Sequence, residues 1–304
     1  MAGDNRVQGT TCEHASSLRI LGRASPIEVS TYTGLKMAPR VLLLPFGGVR
    51  LALLAREPHT YYATYLAGEW RGLRIRRGDL VIDAGANIGD FTVRASRAVG
   101  PEGRVLAIEP SAESRALLAQ NVLLNGAANV TISAAALSDR PSLRWYSASG
   151  SYLVQSPDGE AGSSQLQTEP LGAVMARAGF DRADVIKMDI EGAEVSALRD
   201  VESLRGTREI GVETHSPDSA TATLANLRDA GFTDVRPYSI ADALAGGVGA
   251  VLSHPMSIAR AELETHGYAS GRFFKLFSGY QDIPALRRKS GIKIYYARRR
   301  PPRS

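Results

Sequence analysis

Leu80-Val81-Ile82-Asp83-Ala84-Gly85-Ala86-Asn87-Ile88-Gly89-Asp90-Phe91 is the stretch that decides the fold. It opens as a short apolar run, the pattern of a parallel strand buried on both faces. It then turns through Gly85 and Gly89 into a segment where Ile88, Phe91, Ala95, Ala98 and Val99 recur at helical spacing. Strand, glycine turn and helix in succession make the corner at which α/β sheets hold nucleoside-bearing ligands. Spacing narrows the ligand. Asp83-x-Gly85-x-x-x-Gly89 departs from the G-x-G-x-x-G dinucleotide fingerprint, and no lysine follows as a P-loop requires. A carboxylate at the strand end repels a pyrophosphate but suits a ligand carrying an ammonium and a sulfonium, which describes S-adenosylmethionine. The plain alternative is an ordinary strand-to-helix turn that carries two glycines.

The residues that follow weigh against that alternative. Gly100-Pro101-Glu102-Gly103 stops the helix, and Val105-Leu106-Ala107-Ile108 reads as a second strand ending in Glu109-Pro110. Glu109 stands 20 positions beyond Gly89, where an acidic side chain can accept both hydroxyls of a ribose. Ser111 is placed as an N-cap for a helix carrying Leu117, Leu118, Val122 and Leu123, with Glu113 in its first turn. A third strand follows at Val130–Ser133. Strand and helix thus alternate at the spacing of βαβ units, which predicts a parallel sheet.

A second dense stretch, Asp184-Val185-Ile186-Lys187-Met188-Asp189-Ile190-Glu191-Gly192-Ala193-Glu194, reads as a fourth strand ending at Asp189, with a helix from about Gly192. Glu209-Ile210-Gly211-Val212-Glu213-Thr214-His215 reads as a fifth strand ending in polar groups. A helix over Ala220–Ala230, a strand at Val235–Tyr238 and a closing strand at Ile292–Ala297 beside it complete the pattern. Between Ser138 and Thr168 the chain is Ser-, Gly- and Gln-rich with no helical period, as a loop or hairpin excursion would be, and Pro170–Ala178 resembles a short helix. Residues 239–289 give no readable pattern.

Upstream, Val41–Leu44 and Val49–Leu54 flank Pro45-Phe46-Gly47-Gly48 as a β-hairpin, and Thr60–Trp70 has helical spacing. The expected organisation is a disordered 1–25, a hairpin and helical lid or edge addition over 26–78, a main domain over 79–297, and a basic tail over 298–304.

Composition excludes several classes. In 304 residues, 44% are hydrophobic and 22% charged, as in a globular chain with a sizeable core. The single cysteine, Cys12, rules out an internal disulfide or a cysteine metal cluster, and the five histidines include no i, i+4 pair. The start of the chain lacks a signal-peptide core and no run is long enough to span a bilayer, so a cytoplasmic location is expected. Residues 272–304 hold ten Lys or Arg against Asp282 alone, so the rest of the chain, within a total of +5, is net −4. Such an end can touch nucleic acid, but the commoner expectation is a solvated tail.

Asp83-Ala84-Gly85-Ala86-Asn87-Ile88-Gly89, Glu109-Pro110, Ala136-Leu137-Ser138 and above all Lys187-Met188-Asp189-Ile190-Glu191-Gly192-Ala193-Glu194 resemble the FkbM family of class I methyltransferases, over roughly residues 60–240 plus the closing strand. The resemblance implies a Rossmann-like α/β fold, with a seven-stranded mostly parallel sheet whose last strand is antiparallel. It implies S-adenosylmethionine as cofactor, held by Asp83, Gly85, Ala86, Asn87, Gly89, Glu109, Pro110, Leu137 and Asp189. The acceptor it implies is a hydroxyl on a polyketide, sugar or lipid-like small molecule.

A hydroxyl acceptor must lose its proton, so a general base or a metal is expected near the fourth and fifth strand ends, where Asp189, Glu191, Glu213 and His215 stand. His215 is the preferred base, because imidazole titrates near neutrality, with Asp189 and Glu213 beside it. In the alternative, Asp189, Glu213 and His215 hold Mg²⁺. Two other functions stay open at this stage: a nicotinamide oxidoreductase, disfavoured by the first motif's spacing, and a nucleic-acid-binding or RNA-modifying protein that uses the basic C-terminus.

Overall fold

The computed structural model describes residues 19–21, 40–43, 48–53, 64–65, 68–146, 153–154, 164–243 and 293–299. Three short strands come first: β1 (Arg19–Leu21), β2 (Arg40–Leu43) and β3 (Arg50–Leu53). The main domain then alternates: β4 (Leu80–Ala84), α1 (Asp90–Val99), β5 (Arg104–Ile108), α2 (Ala112–Leu124) and β6 (Val130–Ser133). An excursion of β7 (Ala136–Leu137), β8 (Ser142–Tyr146), β9 (Leu153–Val154) and β10 (Ser164–Glu169) follows. The alternation resumes with α3 (Leu171–Arg177), β11 (Val185–Met188), α4 (Glu194–Ala197), β12 (Glu209–Thr214), α5 (Pro217–Asp229), β13 (Asp234–Pro237), α6 (Ile240–Ala243) and β14 (Lys293–Arg298).

Seven strands form the expected sheet, in the order β6-β5-β4-β11-β12-β14-β13, and β1 adds an eighth at the β6 edge. β14 runs antiparallel between β12 and β13, and the other pairings in this sheet are parallel. Alternate residues of each strand face opposite sides. Ile82, Leu106, Ile186 and Ile210 meet Leu171, Met175 and Phe232 on one side. Val81, Val105 and Val185 meet Phe91, Leu118 and Trp70 on the other. Helices on both faces bury the sheet, which is why its central strands β4, β5 and β11 read as mostly apolar runs.

Several expectations are revised. Arg19–Leu21, inside the stretch expected to be disordered, is the β1 strand. The Ser138–Thr168 excursion takes the hairpin alternative: β8 pairs antiparallel with β9 and with β10, Thr168 opposite Ser142, within a second sheet of order β7-β10-β8-β9. The helix expected from Gly192 is the short α4, Glu194–Ala197. Arg298, assigned to a solvated tail, ends β14: its guanidinium donates to the Gly72 carbonyl at 2.8 Å and lies 3.3 Å from buried Glu209. Arg299 likewise donates to the Leu204 and Thr207 carbonyls. The rest of residues 1–25, the hairpin turn at 44–47, most of the Thr60–Trp70 helix and the tail from 300 lie outside the described residues.

The β2–β3 hairpin forms as expected, antiparallel with Leu42 opposite Leu51. Its second strand is secured by α2 rather than by the main sheet. Asn121 accepts from the Ala52 N–H at 2.5 Å and donates to the Ala52 carbonyl at 3.2 Å. One turn on, Asn125 repeats the pattern with Arg50, at 3.0 and 2.6 Å. Two amides spaced i, i+4 on one helix face thereby stand in for a neighbouring strand. Asn121 also donates to the Ile88 carbonyl at 2.8 Å, within the glycine turn.

Candidate active site

Register builds the site. Ala84 pairs with both Ile108 and Met188, so β4, β5 and β11 end level, and Met188 pairs with Val212 of β12, which runs two residues further to Thr214. The residues next along each strand are Gly85, Glu109, Asp189 and, still within β12, Glu213, which form one row along the carboxyl edge of the sheet, with His215 just past the β12 end. Ligands of open α/β sheets bind at that edge.

The turn after β4 is tightly specified. Gly85 has φ +76°, its N–H donates to the Ile108 carbonyl at 2.9 Å, and a Cβ there would overlap the Asp189 carbonyl oxygen. Among the described residues only Asn87 (φ 48°) and Glu191 (φ 52°) are non-glycine residues with positive φ. Both line the same cleft. A side-chain-bearing residue held in this conformation costs on the order of 1 kcal/mol or more, and such strain collects at functional sites.

That cleft lies, partly open to solvent, between the β4 turn, Glu109-Pro110, Ala136-Leu137 and Asp189-Ile190-Glu191. Glu109 is 6% exposed, and its two carboxylate oxygens accept from the Asn87 and Ser111 N–H groups, each at 2.8 Å. Burial pushes its pKa up, while those two hydrogen bonds hold it down. Each oxygen keeps a further lone pair for a ligand hydroxyl. Pro110 and Leu137 supply apolar walls nearby.

At the other end of the row, His215 collects carboxylates. Its Nε2 lies 3.1 Å from Glu191, 3.7 Å from Asp189 and 4.0 Å from Glu213. Its Nδ1 lies 3.1 Å from Glu194 in an ion-pair contact off the line of a hydrogen bond. Glu194 has no exposed surface, and its Oε1 accepts from the Ile190 and Gly192 N–H groups. Burial works against the imidazolium, but Glu194, Glu191 and Asp189 outweigh it and push the His215 pKa up to about 9. Near neutral pH the ring is therefore charged. Glu191 is moved in the same direction, its pKa raised by burial and by Asp189.

The Mg²⁺ arrangement through Asp189, Glu213 and His215 finds no support in this geometry. The atoms that do converge, all within 4.8 Å of one another, belong to Asp189, Glu191 and His215. One of them is an imidazole nitrogen, whereas Mg²⁺ demands oxygen ligands, and the imidazolium already supplies the positive charge these carboxylates require.

Of the residues expected at the cofactor, Gly85, Asn87, Glu109, Pro110, Leu137 and Asp189 line the cleft, while Asp83, Ala86 and Gly89 do not. Asp83 is fully buried behind the turn, accepting from the Thr92 hydroxyl at 2.5 Å and lying 3.2 Å from the Lys187 ammonium. Ala86 is held from behind by the Ile108 carbonyl. Gly89 caps α1, and a Cβ there would meet Leu118. Sequence reasoning missed Ser114 and Ala135 in the walls, and it gave Lys187 no role. The signal for Lys187 was a charged residue inside an otherwise apolar strand.

Residues 83–233 match the model of the methyltransferase FkbM domain. No curated protein matches the chain. Among solved structures, a methyltransferase FkbM from Methylobacillus flagellatus KT is 21% identical, at a TM-score of 0.43 over 60% of this chain and 47% of that one. A precorrin-6y C5,15-methyltransferase from Geobacter metallireducens GS-15 is 17% identical, at a TM-score of 0.38 over 57% and 72%. An Aeropyrum pernix fibrillarin in complex with natively bound S-adenosyl-L-methionine is 11% identical, at a TM-score of 0.42 over 85% and 82%. At these scores the likenesses carry no argument beside the family match.

Proposed function

We propose, given that residues 83–233 place the chain in the FkbM methyltransferase family, that the protein moves the methyl group of S-adenosylmethionine onto a hydroxyl of a small-molecule acceptor. The observation that carries this reading is the row of residues along the carboxyl edge of the sheet. A cleft at Gly85, Asn87 and Glu109 runs to Asp189 and Glu191, where an acid–base cluster with His215 begins.

In this reading Glu109 accepts the ribose hydroxyls, and Pro110 with Leu137 covers the adenine. Asp189 sits between the methionine end of the donor and the acceptor. S-adenosylmethionine held there would supply an electrophilic methyl for the acceptor oxygen, the O–C bond forming as the C–S bond breaks to release the neutral thioether of S-adenosylhomocysteine. Alignment alone can supply ~7–11 kcal/mol of such a barrier. The acceptor's hydroxyl proton goes to His215, which must be neutral to receive it. The four surrounding carboxylates stabilise the imidazolium that results. The positive charge of a sulfonium held by Asp189 would lower the pKa of the ring toward neutrality.

Two measurements test the reading. Titration calorimetry should show S-adenosylhomocysteine binding and no binding of NAD, with Glu109→Ala weakening the affinity about tenfold or more, as loss of charge-assisted bonds implies. Methyl-labelled cofactor incubated with acceptor extracts should then yield a labelled methyl ether. NAD binding without S-adenosylhomocysteine binding would overturn the cofactor assignment, and label recovered only on carbon or nitrogen would overturn the acceptor class.

A further inference from the structure

Lys187 is the one lysine of the β11 interior, 5% exposed, with its ammonium engaged on three sides. It donates to the Gly85 carbonyl at 2.5 Å, lies 3.2 Å from the Asp83 carboxylate, and sits 5.4 Å from the centroid of the Trp70 ring. Replacing a buried ion pair by apolar groups of similar volume is often neutral or stabilising. Stability alone is therefore a weak reason for a lysine here.

Position is a better one. The Gly85 N–H is fixed by the Ile108 carbonyl of β5, and the Asp189 carbonyl beyond the β11 end fills the space a side chain would take. The Asp189 N–H is itself spent on the Ala84 carbonyl. A long cationic side chain from β11 reaches the Gly85 oxygen, and Asp83, its register partner on β4, offsets the charge that this brings inside.

We propose that Lys187 is a positioning residue for the methyl donor: it latches the Gly85 carbonyl to β11, so that the cleft face of the turn is set by the same strand that presents Asp189. Asp83 serves this latch from behind and does not touch the ligand. The proposal rests on the cofactor reading of the cleft.

The test separates stability from ligand affinity. Lys187→Met strands the buried Asp83 charge, and its melting temperature should fall. Lys187→Met combined with Asp83→Asn removes both charges, and its melting temperature should recover toward that of the unsubstituted protein. Affinity for S-adenosylhomocysteine, measured by calorimetry, should be about tenfold weaker in both, because the carbonyl latch is missing from both. Should Lys187→Met fail to fold, the double variant decides. A double variant that binds within about twofold of the unsubstituted protein overturns the proposal, as does one that loses stability and affinity together. If the unsubstituted protein binds no S-adenosylhomocysteine, the cofactor reading itself fails and takes the latch with it.

Discussion

At the scale of single residues, His215 makes a testable claim about pH. Its folded pKa of about 9 exceeds the ordinary 6.5, so its charge stabilises the fold fully below pH 6.5, and that contribution is lost as pH rises through 9. His215→Asn should therefore lower the melting temperature far more at pH 6 than at pH 9.5, in parallel thermal melts. Catalysis should run the other way. If neutral imidazole is the base, kcat/KM rises with pH, with an apparent pKa at or below about 9, and the asparagine variant loses both the slope and most of the rate. An unchanged profile in that variant would remove His215 from the mechanism. The placement of these groups was legible in the chain: Glu109, Asp189 and His215 are polar residues at the ends of runs rich in apolar residues. The role of Asp83 was not. A carboxylate next to a glycine turn reads as a ligand contact, and only the register opposite Lys187 shows that it faces inward.

At the scale of elements, the two glycines of the opening motif divide the labour. Both have positive φ, so alanine at either pays on the order of 1–2 kcal/mol for the left-handed backbone. The obstacles differ. At Gly85 the new methyl meets the Asp189 backbone carbonyl, and at Gly89 it meets the movable end of the Leu118 side chain. Gly85→Ala should abolish S-adenosylhomocysteine binding, with a stability loss of more than about 3 kcal/mol. Gly89→Ala should cost about half as much and retain measurable affinity, and calorimetry with thermal melts would show whether that order holds. Strands β4, β5 and β11 were readable because burial on both faces leaves a mostly apolar run, broken only by Asp83 in β4, Arg104 at the start of β5 and Lys187 in β11. The β7–β10 sheet was not, because its Ser, Gln and Thr residues carry no apolar alternation and it is organised by cross-strand pairing such as Ser142 with Thr168. The shortness of α4 was equally hidden, since nothing in Gly192-Ala193-Glu194 announces a helix of one turn.

At the scale of the whole molecule, the sheet order follows from simple rules: short right-handed crossovers, with the apolar strands in the middle. The insertion of β14 between β12 and β13 depends on contacts across the full length of the chain, such as Arg298 with Gly72 and Glu209, which no local pattern reveals. One other long-range contact carries a consequence of its own. Asn121 holds the hairpin through Ala52 and the glycine turn through Ile88 with one amide. Two events that share a bond are thermodynamically linked, and the linkage is reciprocal. Whatever coupling free energy links ligand binding at the turn to closure of the hairpin on α2 acts equally in both directions. Amide hydrogen exchange reads this directly. The Ala52 N–H should exchange more slowly with S-adenosylhomocysteine bound, and Asn121→Ala should erase the difference. If ligand leaves Ala52 exchange untouched in the unsubstituted protein, the hairpin and the turn are merely neighbours.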